Sequence, residues 1–377
     1  LFSFYFFQTV LFPIFHTPNY YSYYIYKYLH NKQRAPYMKL QVTQENLNRA
    51  LSNVARVASG RNALPILSNV LIKTVDNRVC VAATNLNIAI THYIGSKVSE
   101  PGSVTVPARL TQDFVASLSS GVIDIVVDGT KLHIKTDSYN STINGAPADD
   151  YPVMPQIKDG TTWSVPSDQL KKALQQVVIA ASNDDTRPVL TGVYFHTHEG
   201  NLYVVATDSY RLAERKIMKL KENVSLLIPA TAINDLLRIM SDGDQEVVVQ
   251  HDDQQVLFTI GDIELVTRLI DGSYPDYRKL IPGSYATSAT LPRTELANIT
   301  KVSSLFARES AGSVTLNVSE GDKQISIQSV ASQLGENTAT ASAEVTGDGA
   351  ITLNSRYIID SLGVIGDDTV SVSFNGK

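Results

Sequence analysis

Two adjacent carboxylate pairs, Asp149-Asp150 and Asp184-Asp185, are the groupings in this chain that most invite a catalytic reading. Paired carboxyls can cleave a glycoside, one as acid and the other as base or nucleophile. Each pair, however, stands beside Pro, Asn or Thr in a loop, and solvated turn acids are the simpler reading. His196 and His198 are two residues apart at the end of an alternating run. With one cysteine and no third ligand nearby, they do not make a zinc site. Cys80 lies in the apolar run Val79-Cys80-Val81-Ala82 and reads as a small buried hydrophobe. The sequence has no Walker loop, no G-x-G-x-x-G, no H-E-x-x-H and no Gly-x-Ser-x-Gly elbow. Neither a catalytic constellation, nor a metal, nor a cofactor is expected, and scaffolding or binding explains the chain better.

The elements that carry these residues recur. Val165-Pro166-Ser167-Asp168-Gln169-Leu170 echoes Val42-Thr43-Gln44-Glu45-Asn46-Leu47, 123 residues earlier. The same offset carries Leu67 onto Leu190, Ala83-Thr84-Asn85 onto Ala206-Thr207-Asp208, and Tyr151-Pro152 onto Tyr274-Pro275. A third copy opens at Leu291-Pro292-Arg293-Thr294-Glu295-Leu296. A period this long is that of a domain, not of a solenoid repeat. Within the first copy, Leu47, Leu51, Val54 and Val57 form the stripe of an amphipathic helix, with Thr43 as N-cap and Gly60 as its stop. Alternating runs follow at Val70–Lys73, Arg78–Val81 and Ile88–Thr91, with Asp76-Asn77 as a hairpin turn. Pro107 starts a second helix carrying Leu110, Phe114 and Leu118. Asp128-Gly129-Thr130 marks another hairpin.

The second copy repeats this order, with Pro229 opening its second helix. The third has helices from Leu296 and over Ser355–Leu362. Each copy therefore reads as α+β, two helices and about eight strands in two layers. The expected domains are 38–160, 161–285 and 286–377. By the period, the third copy is incomplete and lacks its last hairpin.

Composition narrows the partners. The net charge is −5, and residues 1–37 carry Lys27, Lys32 and Arg34 with no acid. Residues 38–377 therefore carry −8, which argues against a protein that coats nucleic acid with basic surface. One cysteine fits a reducing cytoplasm. Residues 1–37 hold eight Tyr and six Phe. They lack the basic start of a signal peptide and the length of apolar sequence needed to span a membrane. They read as a translated upstream stretch, poorly ordered and without a role, ahead of a start at Met38. A tandem surface adhesin, with the aromatic head as an export signal, is the reading that signal-like processing would favour.

Three segments carry a family resemblance. Gly60-Arg61-Asn62-Ala63-Leu64-Pro65-Ile66-Leu67-Ser68-Asn69, Ala206-Thr207-Asp208-Ser209-Tyr210-Arg211-Leu212-Ala213 and Tyr274-Pro275-Asp276-Tyr277-Arg278-Lys279-Leu280-Ile281-Pro282 resemble motifs of the bacterial sliding clamps, the beta subunits of DNA polymerase III. The resemblance runs in order from Met38 to Lys377. It implies a head-to-tail homodimer of six similar domains around a hole, with helices lining the hole and duplex DNA encircled but not read. The six helical segments carry +4 together by residue count, the sign such a lining needs. The resemblance implies DNA contact at Arg61 and Arg187. It implies a peptide pocket formed by Leu190, Thr207, Ser209, Tyr210, Arg211, Leu212, Pro275, Arg278, Lys279 and Leu280. That pocket would take short motifs of the polymerase III alpha subunit, the clamp loader and other clamp-binding proteins. The family's pocket has a further wall from a C-terminal strand, so weaker partner binding is expected here. Leu305 and Phe306 are the implied dimer contacts. The competing enzyme reading is a tandem-domain hydrolase using the loop carboxylates.

Overall fold

The structure is a computed structural model that describes residues 37–58, 64–241, 243, 245–331 and 335–375. The expectations for residues 1–36, for Gly60 as a helix stop and for Arg61 lie outside the described residues. The first copy holds β1 (Tyr37–Thr43), α1 (Gln44–Ala58), β2 (Asn69–Val75), β3 (Arg78–Thr84), β4 (Ile88–Gly95), β5 (Lys97–Glu100), β6 (Ser103–Pro107), α2 (Ala108–Ser117), β7 (Val122–Asp128), β8 (Lys131–Lys135) and β9 (Asn140–Asn144). The second holds β10 (Thr161–Pro166), α3 (Ser167–Val177), β11 (Gly192–His198), β12 (Asn201–Thr207), β13 (Leu212–Lys219), β14 (Ser225–Pro229), α4 (Ala230–Ile239), β15 (Glu246–His251), β16 (Gln255–Ile260) and β17 (Ile263–Arg268). The third holds β18 (Thr287–Pro292), α5 (Arg293–Ser304), β19 (Ser313–Ser319), β20 (Gln324–Ala331), β21 (Gly335–Ser342), β22 (Glu344–Thr346), β23 (Gly349–Asn354), α6 (Ser355–Val364) and β24 (Thr369–Phe374). All paired strands are antiparallel.

The strand-to-helix junctions show why the chain changes period where it does. Pro107, Pro166, Pro229 and Pro292 each end a strand and stand at the N-cap of the next helix, with φ between −53° and −58°. Proline has no N–H for a ladder, and its φ already suits a helix. Pro107 and Pro229 thus lie just before their helices, not inside the first turn. The other two helices use side chains. Thr43 Oγ1 accepts from Asn46 N at 3.4 Å, and Asn354 Oδ1 accepts from Arg356 N at 2.9 Å. The hairpins form where turn residues allow them: Asp76 (φ 51°) and Gly129 (φ 61°) take the left-handed conformation in two-residue loops.

Leu47, Leu51 and Val54 of α1 are completely covered, each contributing about 2 kcal/mol by removal from water. One apolar core runs without a break through the first and second copies, and the third has its own. The continuity has a backbone cause that the sequence does not announce. β17 of the second copy pairs with β4 of the first, Ile263 opposite His92 through Thr267 opposite Ile88. The result is one eight-stranded sheet in the order β10-β15-β16-β17-β4-β3-β2-β6. Tyr93 N donates to Asp262 O at 2.9 Å, and Arg78 pairs with Asp262 at 2.9 Å, across the same seam.

The helices pack in pairs within each copy, and α3 also packs against α6. Arg56 of α1 reaches Asp235 of α4 at 3.9 Å, and Gln176 of α3 donates to Val364 O of α6 at 3.3 Å. The six helices among the described residues therefore form one row, α2-α1-α4-α3-α6-α5, backed by the sheets.

His92 makes the first-copy core acid-sensitive. Its Nδ1 accepts from Asn53 Nδ2, 3.1 Å away, and it is buried. Burial, first, and then the Arg49 and Arg78 charges push its pKa from 6.5 to about 4, against Asp262, which raises it. A depressed histidine is neutral in the fold and must charge on unfolding. The stability it contributes is intact above about pH 6.5 and is lost as pH falls toward 4, worth about 2 kcal/mol after discounting for solvent screening. Urea midpoints at pH 7.5 and pH 5 should differ accordingly, and His92→Gln should narrow the difference.

Candidate functional site

The segment with the most specific geometry is the turn between β12 and β13, and it occurs twice. Asp208 Oδ1 accepts from Tyr210 N and Arg211 N, both at 2.9 Å. Thr207 Oγ1 accepts from Ser209 N at 3.1 Å and donates to Arg211 O at 2.7 Å. In the first copy Asn85 Oδ1 accepts from Asn87 N and Ile88 N, and Thr84 Oγ1 makes the same two bonds to Leu86 N and Ile88 O. Ser209 and Leu86, 123 residues apart, share the left-handed conformation at φ 78° and 76°. The Ala-Thr-Asx motif is therefore a turn former. Its hydroxyl and its Asx side-chain oxygen accept from the loop's own backbone donors, so Thr207 is a builder of the site and not a free ligand group.

Of the two described turns, the one in the second copy adds a charge. Arg211 Nε lies 3.1 Å from Asp208 Oδ2, its Nη1 donates to Asp360 of α6 at 2.8 Å, and its guanidinium lies 4.7 Å over the Tyr357 ring. Arg211 thus joins the second and third copies instead of facing solvent. Beside it, a cavity of about 430 Å³ is lined by Gln176, Leu212 and Glu214 on one side and by Val364, Asp367 and Ser371 on the other.

The linker after β17 forms the next wall. Tyr277 is buried, and its hydroxyl donates to Glu214 and lies 2.7 Å from His196 Nε2. Arg278 pairs with Glu214 at 3.0 Å and lies 4.5 Å over the Tyr203 ring. Tyr274 stacks on Tyr194 at 4.9 Å. With these side chains pointing in, Leu280 is left 76% exposed, and Tyr210 in the turn is 80% exposed. Ser209 and Pro275 are also exposed, Leu212 is half-buried and Leu190 is buried beneath. Lys279 is held outside by Asp276 at 2.7 Å. Of the expected pocket residues, Leu190 is therefore buried, Thr207, Arg211 and Arg278 are held by internal bonds, and Ser209, Tyr210, Pro275, Lys279 and Leu280 are exposed.

Arg187 is exposed, donates to Ser209 Oγ at 3.0 Å and approaches Asp184 at 3.9 Å. Pro65 and Pro188 begin equivalent 3-10 turns that bury Leu67 and Leu190, so by position Arg187 matches Leu64, and Arg61 matches Asp184. Leu305 follows α5 and is 52% exposed, while Phe306 is half-buried.

Of the carboxylates of the hydrolase reading, Asp184 is spent on its own turn. Asp184 Oδ1 accepts from Thr186 N and Oγ1, and these bonds hold its carboxyl below the usual range. Asp149 and Asp150 sit exposed in a 3-10 turn. Among the described residues no group of three His, Cys, Asp or Glu side chains could hold a metal, and no helix is long and apolar enough to cross a membrane. The residues that the sequence does not single out are Glu214, Tyr203, Tyr357 and Asp360. For Tyr203 the signal is alternation: it lies on the face of β12 opposite the buried Leu202 and Val204.

A tandem array of three like modules, one row of helices, a sheet-covered outer face and an apolar rim at the last joint together define a docking scaffold. Comparison with known proteins gives it a family. Models of the DNA polymerase III beta subunit match its N-terminal domain at residues 38–155, its central domain at 164–276 and its C-terminal domain at 278–377. The beta sliding clamps of Staphylococcus aureus and of Bacillus subtilis are each 30% identical, covering 90% of this chain and 93% of theirs. Crystal structures of the clamp from Bacillus subtilis (29% identical) and of the Pseudomonas aeruginosa clamp bound to griselimycin (26%) superpose with a TM-score of 0.85 over the same 90% of this chain and 93% of theirs. The chain belongs to the DNA polymerase III beta subunit family, the sliding clamps.

Proposed function

We propose that this chain works as a sliding clamp, a non-catalytic accessory subunit of the DNA-directed DNA polymerase in the cytoplasm. Two protomers close head to tail, and duplex DNA passes through the ring without being read. The supporting observation is the unbroken helix row α2-α1-α4-α3-α6-α5, which gives one chain a single continuous inner wall. Its six helices carry +3 while residues 38–377 carry −8. A mild excess of this sign attracts phosphates without fixing the ring at any site. Arg187, and Arg61 from the sequence resemblance, are the DNA-facing cations in this reading. The functional modules are residues 38–160, 161–285 and 286–377.

The rim formed by Ser209, Tyr210, Pro275 and Leu280, over the Leu190 floor and the Leu212 wall, takes short apolar motifs of the polymerase III alpha subunit, the clamp loader and other clamp-binding proteins. Apolar anchors in a pocket with few polar guides suit such capture. The same rim would take griselimycin. The decisive test is topological. Protein loaded on a nicked circular plasmid should stay with it through gel filtration and run off within minutes of linearisation. Equal retention on both forms would mean ordinary DNA affinity and would defeat the reading.

A further inference from the structure

We propose that Glu214 is a positioning residue that latches the linker 274–281 to the second copy's sheet and so holds the Pro275 and Leu280 side of the partner groove in place. The proposal rests on the groove reading above. Its geometry is a single carboxylate serving two linker side chains. Glu214 accepts from the Tyr277 hydroxyl, and Arg278 Nη2 lies 3.0 Å from the same oxygen. With its one O–H donated to Glu214, the Tyr277 oxygen accepts a hydrogen bond from His196 Nε2–H, 2.7 Å away. His196 is itself gripped between Tyr194 and Tyr203, ring centroids 5.0 and 5.7 Å off. The linker residue that follows Arg278 and Lys279 is Leu280, whose side chain has no cover of its own. Its position is therefore set by the residues two and three places earlier.

The first copy shows that this latch is not a general requirement of linker packing. Tyr151 and Tyr274 are equivalent, and Tyr151 pins its linker through Asn69 O at 3.1 Å and Thr84 N at 3.2 Å. Beyond that pin the two boundaries diverge. Where the second copy has His196, Tyr203, Glu214 and Tyr277, the first has Lys73, Cys80, Thr91 and Met154 at the same offset of 123. Thr91 offers no carboxylate there; the sheet carboxylate beside it, Glu264 of β17, accepts from Tyr93 at 3.5 Å and not from the linker, and a cavity of about 520 Å³ lies over Cys80 and Thr91. The latch is built only at the boundary that carries the exposed rim.

The test uses the full chain, with griselimycin as the probe and a fluorine label on Leu280→Cys. Glu214→Ala should weaken griselimycin binding about tenfold and split or narrow the fluorine line as the linker gains motion. Glu214→Gln, which keeps an acceptor for Tyr277 but loses the charge for Arg278, should fall between. Tyr277→Phe, which removes one hydroxyl from an otherwise intact site, should reproduce the line change if the alanine variant folds poorly. Tyr210→Ala reports on the groove alone. An unchanged fluorine line in both Glu214 variants overturns the latch whatever the binding result. Lost binding in Tyr210→Ala with full binding in Glu214→Ala overturns it too. Full binding in Tyr210→Ala and Leu280→Ala removes the groove, and the positioning role goes with it.

Discussion

Leu305→Asp should shift the monomer–dimer equilibrium by at least about a hundredfold toward monomer. The seam within one chain supplies the template. There Arg56 at the end of α1 meets Asp235 of α4. Counting from Leu47 and Leu296, Leu305 takes the place of Arg56. Counting from Pro107 and Pro229, the counterpart of Asp235 is Asp113 in α2, one turn after the 56% exposed Leu110. In the head-to-tail dimer proposed above, the same geometry would set Leu305 against that helix of the partner subunit. An aspartate there forfeits about 2 kcal/mol of apolar burial and adds a repelled carboxylate, and each 1.4 kcal/mol is tenfold in the constant.

The strands agree on the same closure. β9 and β21 are both sheet edges. Ile134 opposite Ser141 repeats Phe258 opposite Leu265, and Ile327 opposite Ala339 repeats Val81 opposite His92. Copying the β17–β4 register gives Ser141 opposite Asn337 of the partner subunit and Asn140 opposite Thr338 of the partner subunit. Sedimentation velocity across the micromolar range reads the shift, with Leu86→Asp, also at an exposed leucine, as the control. Equal constants for both variants would place the interface elsewhere.

Asp208→Ala is the second large effect, about 2–4 kcal/mol from the stability of the second and third copies and a loss of groove binding of tenfold or more. Its carboxylate satisfies two backbone donors of a turn that holds Ser209 at φ 78°, and it also anchors Arg211. Removing it strands those donors and loosens the guanidinium that ties Asp360 to the joint. Asn85→Ala breaks the same turn in the first copy, where no ion pair depends on it, and should cost only about 1–2 kcal/mol. Urea denaturation compares the two, and equal losses would show that the joint adds nothing.

What the sequence discloses here is what is local. The Leu47, Leu51, Val54 stripe, the Asp76-Asn77 turn and the prolines at helix starts each act within a few residues, so their positions were readable. The repeat exposed the equivalence of Thr84-Asn85 and Thr207-Asp208, although their role as backbone satisfiers needed coordinates. The fusion of β17 with β4 was hidden, because every copy offers similar edges and nothing local says which two meet. Glu214 was hidden for a related reason. A lone acid in an alternating run reads as solvated surface until a linker some sixty residues further on folds over it. Arg211 and Arg278 carry charge, so they looked like ligand groups, yet both are spent inside the protein.

Cys80 has a use that its burial creates. It is 7% exposed, and burial pushes the thiol up to about 11. It is the chain's single cysteine, so the native protein has almost no background toward maleimides at neutral pH. Dyes or spin probes can be placed anywhere else without removing it. Left unlabelled, it becomes a slow chemical clock: its modification in native buffer counts how often the sheet around β3 comes apart.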